Sequence, residues 1–400
     1  MTTTPTTTTP LPKLSKNQKK KLFKTIQMDT ESKTLLQILT QHLGTTNPDT
    51  ISIFIQQLHG SGNNETLLHR SCAHGAVENT RFLLPYFLPN HIDVRNSQMK
   101  TPLHEACTCG SVDIVSMLLQ AGALKDAHRT HSWTPLMYAV SRNHFQVAVL
   151  FMQLETNTSI INEVNQDNMT ALYLACRENA IECVTLLLQH NADPNICSKT
   201  LRSPLHVSIL HQNIDIVEML MQHTSNTDAV DSKGYTMAHE ACAMNETVVL
   251  NMLKKKQCLK EMLKIKDHNR RIPLHVAALK GGVETVKYLL SFVEDDEVEF
   301  NIDVLDKEEN TALILAVSKG HVNVVQVLLD QGANPNVQSG RGKRSLVHVA
   351  CGFGHVDVVK MLLNDGRVDW NVKDNQNRTA LELATVMQHD AVVELLLVKR

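Results

Sequence analysis

The stretch Thr101-Pro102-Leu103-His104-Glu105-Ala106 decides how this chain is read, because it recurs. Relatives of it begin at Thr66, Thr134, Thr170, Ser203, Thr236, Ile272, Thr311, Ser345 and Thr379. Successive starts lie 35, 33, 36, 33, 33, 36, 39, 34 and 34 residues apart. About ten residues after each start comes a second apolar segment, such as Val112-Asp113-Ile114-Val115-Ser116-Met117-Leu118-Leu119. Several units then carry a turn like the one from Gly332 to Asn336. A fixed period in this range is the signature of stacked repeats rather than of separate globular domains.

The physics of one unit is local. Thr or Ser ahead of an apolar run is an N-cap, whose hydroxyl accepts a backbone N–H of the first helical turn. Pro102, Pro135, Pro204 and Pro273 follow the cap directly, at the position that needs no N–H. The Leu two residues after the start and the Ala five after it lie about one turn apart, on one buried face. Ala or Cys at the next position is small enough to let two helices approach. Gly and Asn supply the turn that leads to the next cap. Such a helix–turn–helix unit cannot bury its own apolar face, so stacking creates the core.

The Thr-Pro-Leu-His-x-Ala string at this period resembles the ankyrin-repeat family. The resemblance covers residues 61–400, about 85% of the chain, in ten repeats starting near 62, 97, 130, 166, 199, 232, 268, 307, 341 and 375. It implies an all-α solenoid of helix–turn–helix units with projecting β-turn loops, whose concave face binds other proteins. Three departures stand out: Ile272 has no capping oxygen, Met237 replaces Pro, and Glu382 replaces His. The longer spacings hold extra residues, among them Lys254-Lys255-Lys256 and Glu294-Asp295-Asp296-Glu297, both expected in surface loops. With its missing cap and like-charge run, the junction of repeats 6 and 7 is the expected weak point of the array.

Residues 1–24 form a Thr/Pro- and Lys-rich leader, expected to be disordered because it has too little apolar surface to pack. Its cluster, Lys13, Lys16, Lys19, Lys20, Lys21 and Lys24, admits a nuclear-import signal or an anionic-surface contact; a solvated leader is the favoured reading. Residues 25–60 are expected to form two helices, an N-terminal cap or degenerate repeat. Lys399 and Arg400 suit the C-terminus of the last helix.

Composition excludes several function classes. The formal net charge is −2, so no overall excess steers the 400-residue chain to nucleic acid. No run of 18 apolar residues and no apolar leader segment occurs, so neither membrane insertion nor secretion is expected. Nine cysteines without framework spacing suit a reducing compartment, and the expected locations are the cytoplasm and the nucleus. There is no G-x-S-x-G, P-loop, G-x-G-x-x-G or H-E-x-x-H string. The non-repeat segment is too short for a catalytic domain, so no enzyme and no cofactor are expected.

Twenty histidines invite a metal reading, which the repeat absorbs. His69, His104, His206, His239, His275 and His348 share one position, three after the start. The resemblance implies that this histidine ties the first turn to neighbouring backbone. Cys72, Cys107, Cys176, Cys242 and Cys351 share the small buried slot, where a thiol acts as a small hydrophobe. Cys107-x-Cys109 is too close for a zinc pair, and no metal is expected.

In the ankyrin pattern the residue before each cap lies near the turn tip and faces the groove. In order these are Glu65, Lys100, Trp133, Met169, Arg202, Tyr235, Arg271, Asn310, Arg344 and Arg378. Lys199, Lys233, Lys280, Lys307, Lys319 and Arg341 fall nearby. Trp, Tyr and Arg are the types enriched in interface hot spots. The expected partner-binding set is therefore Trp133, Met169, Arg202, Tyr235, Arg271, Arg344 and Arg378. The expectation is a monomeric, non-enzymatic scaffold or adaptor that binds an acidic, extended protein segment, with nucleic acid disfavoured. The alternative is a substrate-recruiting subunit of a larger enzyme assembly, such as a ubiquitin ligase or phosphatase complex.

Overall fold

The structure is a computed structural model that describes residues 14–27, 32–43, 46–58, 63–87, 91–126, 133–154, 160–224, 226–292, 301–340 and 342–398. The Thr/Pro tract, Lys13, Arg341, the acidic run Glu294–Glu297, Lys399 and Arg400 lie outside the described residues. The chain divides into two compact units, Met1–Lys199 and Thr200–Arg400.

Each capping position read from the sequence starts a helix. In the first unit these helices are Leu67–Ala73, Pro102–Cys109, Pro135–Ser141 and Ala171–Arg177. In the second they are Pro204–Leu210, Met237–Met244, Pro273–Lys280, Ala312–Ser318, Leu346–Gly352 and Ala380–Val386. Each is followed by an antiparallel partner, for example Val112–Gln120 or Val322–Asp330. The hydroxyls of Thr66, Thr134, Thr170, Ser203, Thr236, Thr311 and Thr379 accept the backbone N–H three residues on, at 3.1–3.4 Å. The expected small slots are closed: Ala106, Cys107, Ala241, Cys242, Ala277 and Cys351 are fully buried. Among the described residues no strand forms; one isolated antiparallel bridge joins Ser339 and Arg344.

Ile272 caps without an oxygen. Its N–H is held instead by His275 Nδ1 at 3.3 Å, and its side chain is buried. Replacing it with Thr would exchange buried methylene for a hydroxyl, two terms of about 1 kcal/mol and opposite sign. The missing cap is therefore a smaller defect than the sequence suggests.

Two other expectations are corrected. The lysine-rich leader is not disordered through Lys24: Lys16–Gln27 is a helix, with Leu22 and Ile26 fully buried against the first unit. Two apolar residues four apart give this otherwise polar helix one buried side. The Lys254–Lys256 run is not a loop. Lys254 and Lys255 occupy the last turn of Thr247–Lys255, where cations offset the helix dipole, and Lys254 Nζ lies 4.6 Å from the Phe292 ring centroid. The extra residues that follow form a short helix, Leu259–Met262, which buries Leu259, Met262 and Leu263. The inserted segment thus adds core to its repeat. Two further helices, Ser32–Leu43 and Pro48–Gln57, follow the helix Lys16–Gln27.

Candidate interaction surface

Six of the tips share one device. Asp231 Oδ1 accepts the N–H groups of Lys233 at 2.8 Å and Tyr235 at 2.9 Å. Asp267, Asp306 and Asp374 hold their own turns in the same way, and Asn96 and Asn165 do so in the first unit. The turn forces a left-handed residue just before the tip position: Met99, Asn168, Gly234, Arg270, Glu309 and Asn377 all have positive φ. Neighbouring tips are joined by single backbone bonds, such as Ser232 N–H to Thr200 O at 2.8 Å and Lys307 N–H to Asn269 O at 2.7 Å.

A histidine column completes five of the joints. Nδ1 of His69, His239 and His275 accepts the N–H of the capping residue, so Nε2 carries the proton. Nε2 then donates to a carbonyl of the next tip: His69 to Lys100 at 2.9 Å, His104 to Trp133 at 3.1 Å, His239 to Arg271 at 2.9 Å and His348 to Arg378 at 2.8 Å. These are the backbone ties that the resemblance implied. Burial pushes the pKa values of His239 and His275 below the ordinary value, and that of His206 down to about 4. His206 Nε2 has no well-aligned partner, with the Tyr235 and Ala229 carbonyls as its nearby acceptors. A second set, His144, His321, His355 and His389, bonds back to the preceding repeat at Thr108, Leu279, Ser318 and Gly352 carbonyls, 3.0–3.2 Å away. Both sets are structural, and burial likewise raises the thiol pKa values of Cys72, Cys107, Cys242 and Cys351.

The arginines expected to meet a partner are mostly engaged within the chain. Arg202 Nε lies 3.2 Å from Asp231 Oδ2, and its terminal nitrogen lies 2.6 Å from Glu240 Oε1. Arg271 Nε pairs with Asp306 Oδ2 at 3.1 Å. Arg378 grips Asp374 Oδ2 through two nitrogens at 3.0 and 2.7 Å. Desolvation opposes ionisation of Asp374, but the Arg378 and Gln376 donors outweigh it and hold the carboxyl at about 2. One aspartate oxygen thus organises its own tip and the other neutralises an arginine. Arg202, Arg271 and Arg378, three of the residues expected to meet a partner, are thus ion-paired within the chain and clamp its turns. Arg344 differs, being exposed with no ion pair among the described residues.

The clamp has one gap. Asp267 is buried like its counterparts, and its Oδ2 has no hydrogen-bond partner. At the column where Arg202 and Arg271 serve the other aspartates, the chain carries Tyr235, which stacks on His239 with ring centroids 5.2 Å apart. Tyr235 is half-buried, and desolvation raises its phenol pKa.

In the first unit, Trp133 is half-buried and packs on Tyr138, with centroids 5.2 Å apart. Lys100 closes this cluster, bonded to Glu105 at 3.2 Å and placed 5.0 Å from the Tyr138 centroid. Met169 is also half-buried, beside Arg177. Trp133 and Met169 lie in the first unit and the other expected site residues in the second.

The second unit contains an open trough of about 1060 Å³. Ile314, Leu315 and Val349 contribute apolar side chains to it, and Asn310, Arg344, Gln376 and Arg378 contribute tips. Phe353 also lines it and is 59% exposed. The sequence reading missed Phe353. Its signal was a column eight residues after each start, which holds His74, Arg142, Glu178, His211, Lys280 and Lys319, is apolar at Cys109, Met244, Phe353 and Met387, and carries its one aromatic ring other than histidine at Phe353. Val386 and Met387 are exposed in the following repeat, giving an apolar strip at its end.

Stacked helix pairs, hydroxyl caps and histidine ties define a repeat protein. The chain belongs to the ankyrin-repeat family: the family model for ankyrin repeats (3 copies) matches residues 34–129, 124–198, 252–339 and 334–400, and that for a single ankyrin repeat matches 200–232. The chain is 28% identical over 184 residues to the Homo sapiens transient receptor potential cation channel subfamily A member 1, covering 45% of this chain and 16% of that protein. It is 28% identical over 224 residues to the Mus musculus B-cell lymphoma 3 protein homolog, covering 54% of this chain and 48% of that protein. Among solved structures, the ankyrin repeat domain of Bcl-3, titled a unique member of the IkappaB protein family, is similar with a TM-score of 0.50 and 25% identity, covering 57% of this chain and 99% of that one. The chain spans less than half the length of these two relatives. No helix among the described residues is long and apolar enough to cross a membrane.

Proposed function

We propose that the protein is a non-catalytic binding scaffold that seats an extended segment of a partner protein in the trough of its last repeats. The carrying observation is Phe353, a large aromatic left 59% exposed beside an apolar floor that is otherwise buried. Exposed aromatic side chains ringed by polar tips are what hot spots look like before they are covered. The clamped tips favour binding because they are already ordered, so little entropy is lost when a partner lands. With Arg202, Arg271 and Arg378 neutralised internally, apolar anchoring at Phe353 carries the recognition, and Arg344 is the tip cation open to the partner.

The test is photo-crosslinking in cell extract with a crosslinking residue at Gln376, on the trough, and at Glu218, on a second helix, followed by Phe353→Ala. A partner captured from Gln376 and not from Glu218, and bound at least about tenfold more weakly after Phe353→Ala with unchanged melting, supports the reading. Capture from Glu218 alone, or binding indifferent to Phe353, overturns it.

A further inference from the structure

The helix Lys16–Gln27 carries a charge arrangement that the trough does not use. Leu22 and Ile26 are fully buried, and the Ile26 carbonyl accepts a bond from Asn79 Nδ2 at 3.1 Å, so this helix is fixed to the first unit along one face. Lys16, Lys20, Lys21 and Lys24 are exposed. Lys16, Lys20 and Lys24 follow one another at four-residue steps, which places them in one row about 12 Å long. Lys21 flanks that row, and Leu22 and Ile26 occupy the opposite side.

Among the described residues, nothing nearby cancels this charge. The helix contains no acidic residue. The helices packed against it are Ser32–Leu43, which has none, and Leu67–Ala73, whose Arg70 is already paired with Glu65 at 3.3 Å. On the helix that holds Asn79, Glu78 is paired with Arg81 at 3.6 Å. Among the described residues, Lys16, Lys20, Lys21 and Lys24 enter no ion pair. Folding has therefore turned a lysine-rich segment into a pre-ordered row of ammonium groups on a chain whose net charge is −2.

We propose that this row is a docking surface for an anionic lipid membrane, holding the protein at the bilayer face without insertion. The chemistry is that of point charges. Four ammonium groups on one side of a helix match the cluster size that gains from the negative potential of acidic lipid headgroups. The apolar side of the helix is committed to the protein core, so contact is electrostatic and confined to the headgroup layer. A duplex nucleic acid fits less well. The row has no arginine fork for bidentate phosphate contact and no exposed aromatic for base stacking. It also offers fewer cations than the six to ten phosphate contacts of a typical duplex footprint. A receptor that reads lysines along extended chain would have to pull Leu22 and Ile26 out of the core.

The experiment is co-sedimentation of the full chain with phosphatidylcholine vesicles, with and without one third phosphatidylserine, at low and physiological salt. Three proteins are compared: the parent, the variant Lys16→Gln/Lys20→Gln/Lys21→Gln/Lys24→Gln, and the charge-matched control Lys255→Gln/Lys256→Gln/Lys264→Gln/Lys266→Gln. Thermal melting and binding to duplex DNA are measured for each. Parent and control should bind phosphatidylserine vesicles and ignore phosphatidylcholine, with binding that weakens as salt rises. The helix variant should lose on the order of 600-fold, about fivefold for each of the four lysines, at unchanged melting temperature. Equal partitioning of helix variant and parent would overturn the proposal, as would equal loss in the control. Tighter, lysine-dependent retention on duplex DNA than on acidic vesicles would assign the row to nucleic acid instead.

Discussion

Arg202 offers the sharpest test of the tip architecture, because the sequence made it a partner-binding residue and the structure makes it a clamp. Its guanidinium lies 3.2 Å from Asp231 and 2.6 Å from Glu240, and both carboxylates are buried. Arg202→Ala leaves two buried anions without their cation, and breaking a buried pair in this way costs roughly 3–5 kcal/mol. Two features place the cost near the lower end. Asp231 keeps the N–H donors of Lys233 and Tyr235, and Glu240 can take up a proton because burial already lifts its pKa above the ordinary carboxyl value. The estimate is about 3 kcal/mol at neutral pH, or on the order of 100-fold faster hydrogen exchange in the Met237–Met244 helix. The penalty should shrink as pH falls, since protonating Glu240 removes one of the two anions. Glu240→Gln added to Arg202→Ala should recover about half of the loss. Exchange and urea midpoints that stay within about 0.5 kcal/mol of the parent would refute the clamp and return Arg202 to the pool of free surface cations.

Three further outcomes follow from the same contacts. Tyr235→Arg should stabilise the second unit by about 1 kcal/mol, since a charge-assisted bond to Asp267 Oδ2 outweighs the lost stacking on His239; a lower melting temperature would show that the gap is filled by other means. His206, His239 and His275 have folded pKa values below the unfolded value near 6.5, so the unfolded chain binds more protons in acid and stability falls with pH. His206 alone should remove roughly 3 kcal/mol between about pH 6.5 and 4, with Asp374 adding its loss only below about pH 4; melting temperatures flat across pH 4 to 6.5 would contradict this. Gly320→Ala should cost more than Gly332→Ala in denaturant melts, by about 1 kcal/mol or more, because both glycines have positive φ but only Gly320 would drive its Cβ to 2.9 Å from His355 Nδ1; equal losses would leave backbone strain as the sole cause.

The sequence by itself determined the repeat, its register and most of its joints. A cap bonds three residues ahead, a buried face returns every turn, and a stacked unit repeats its neighbour's environment, so ten copies report the same local physics ten times. Thr66, His69 and Cys72 could be assigned before any coordinates because Thr236, His239 and Cys242 say the same thing 170 residues later. The charges were not legible in that way. Arg202 and Arg271 look like free tip cations until folding sets them against Asp231 and Asp306, partners 29 and 35 residues away, and the strength of such a pair depends on burial that composition does not carry. Tertiary structure decided the opposite for Lys16, Lys20, Lys21 and Lys24, where packing Leu22 and Ile26 turned an expected tail into a helix with a fixed charged side. It also decided which apolar residue stays in water. Phe353 and Leu383 are both large hydrophobes, but Leu383 packs against the Gly352 turn and is buried, whereas Phe353, just past the end of its helix, is left at the trough. Local bonding repeats with the sequence; exposure and charge balance are sums over neighbours, and only the folded array supplies the neighbours.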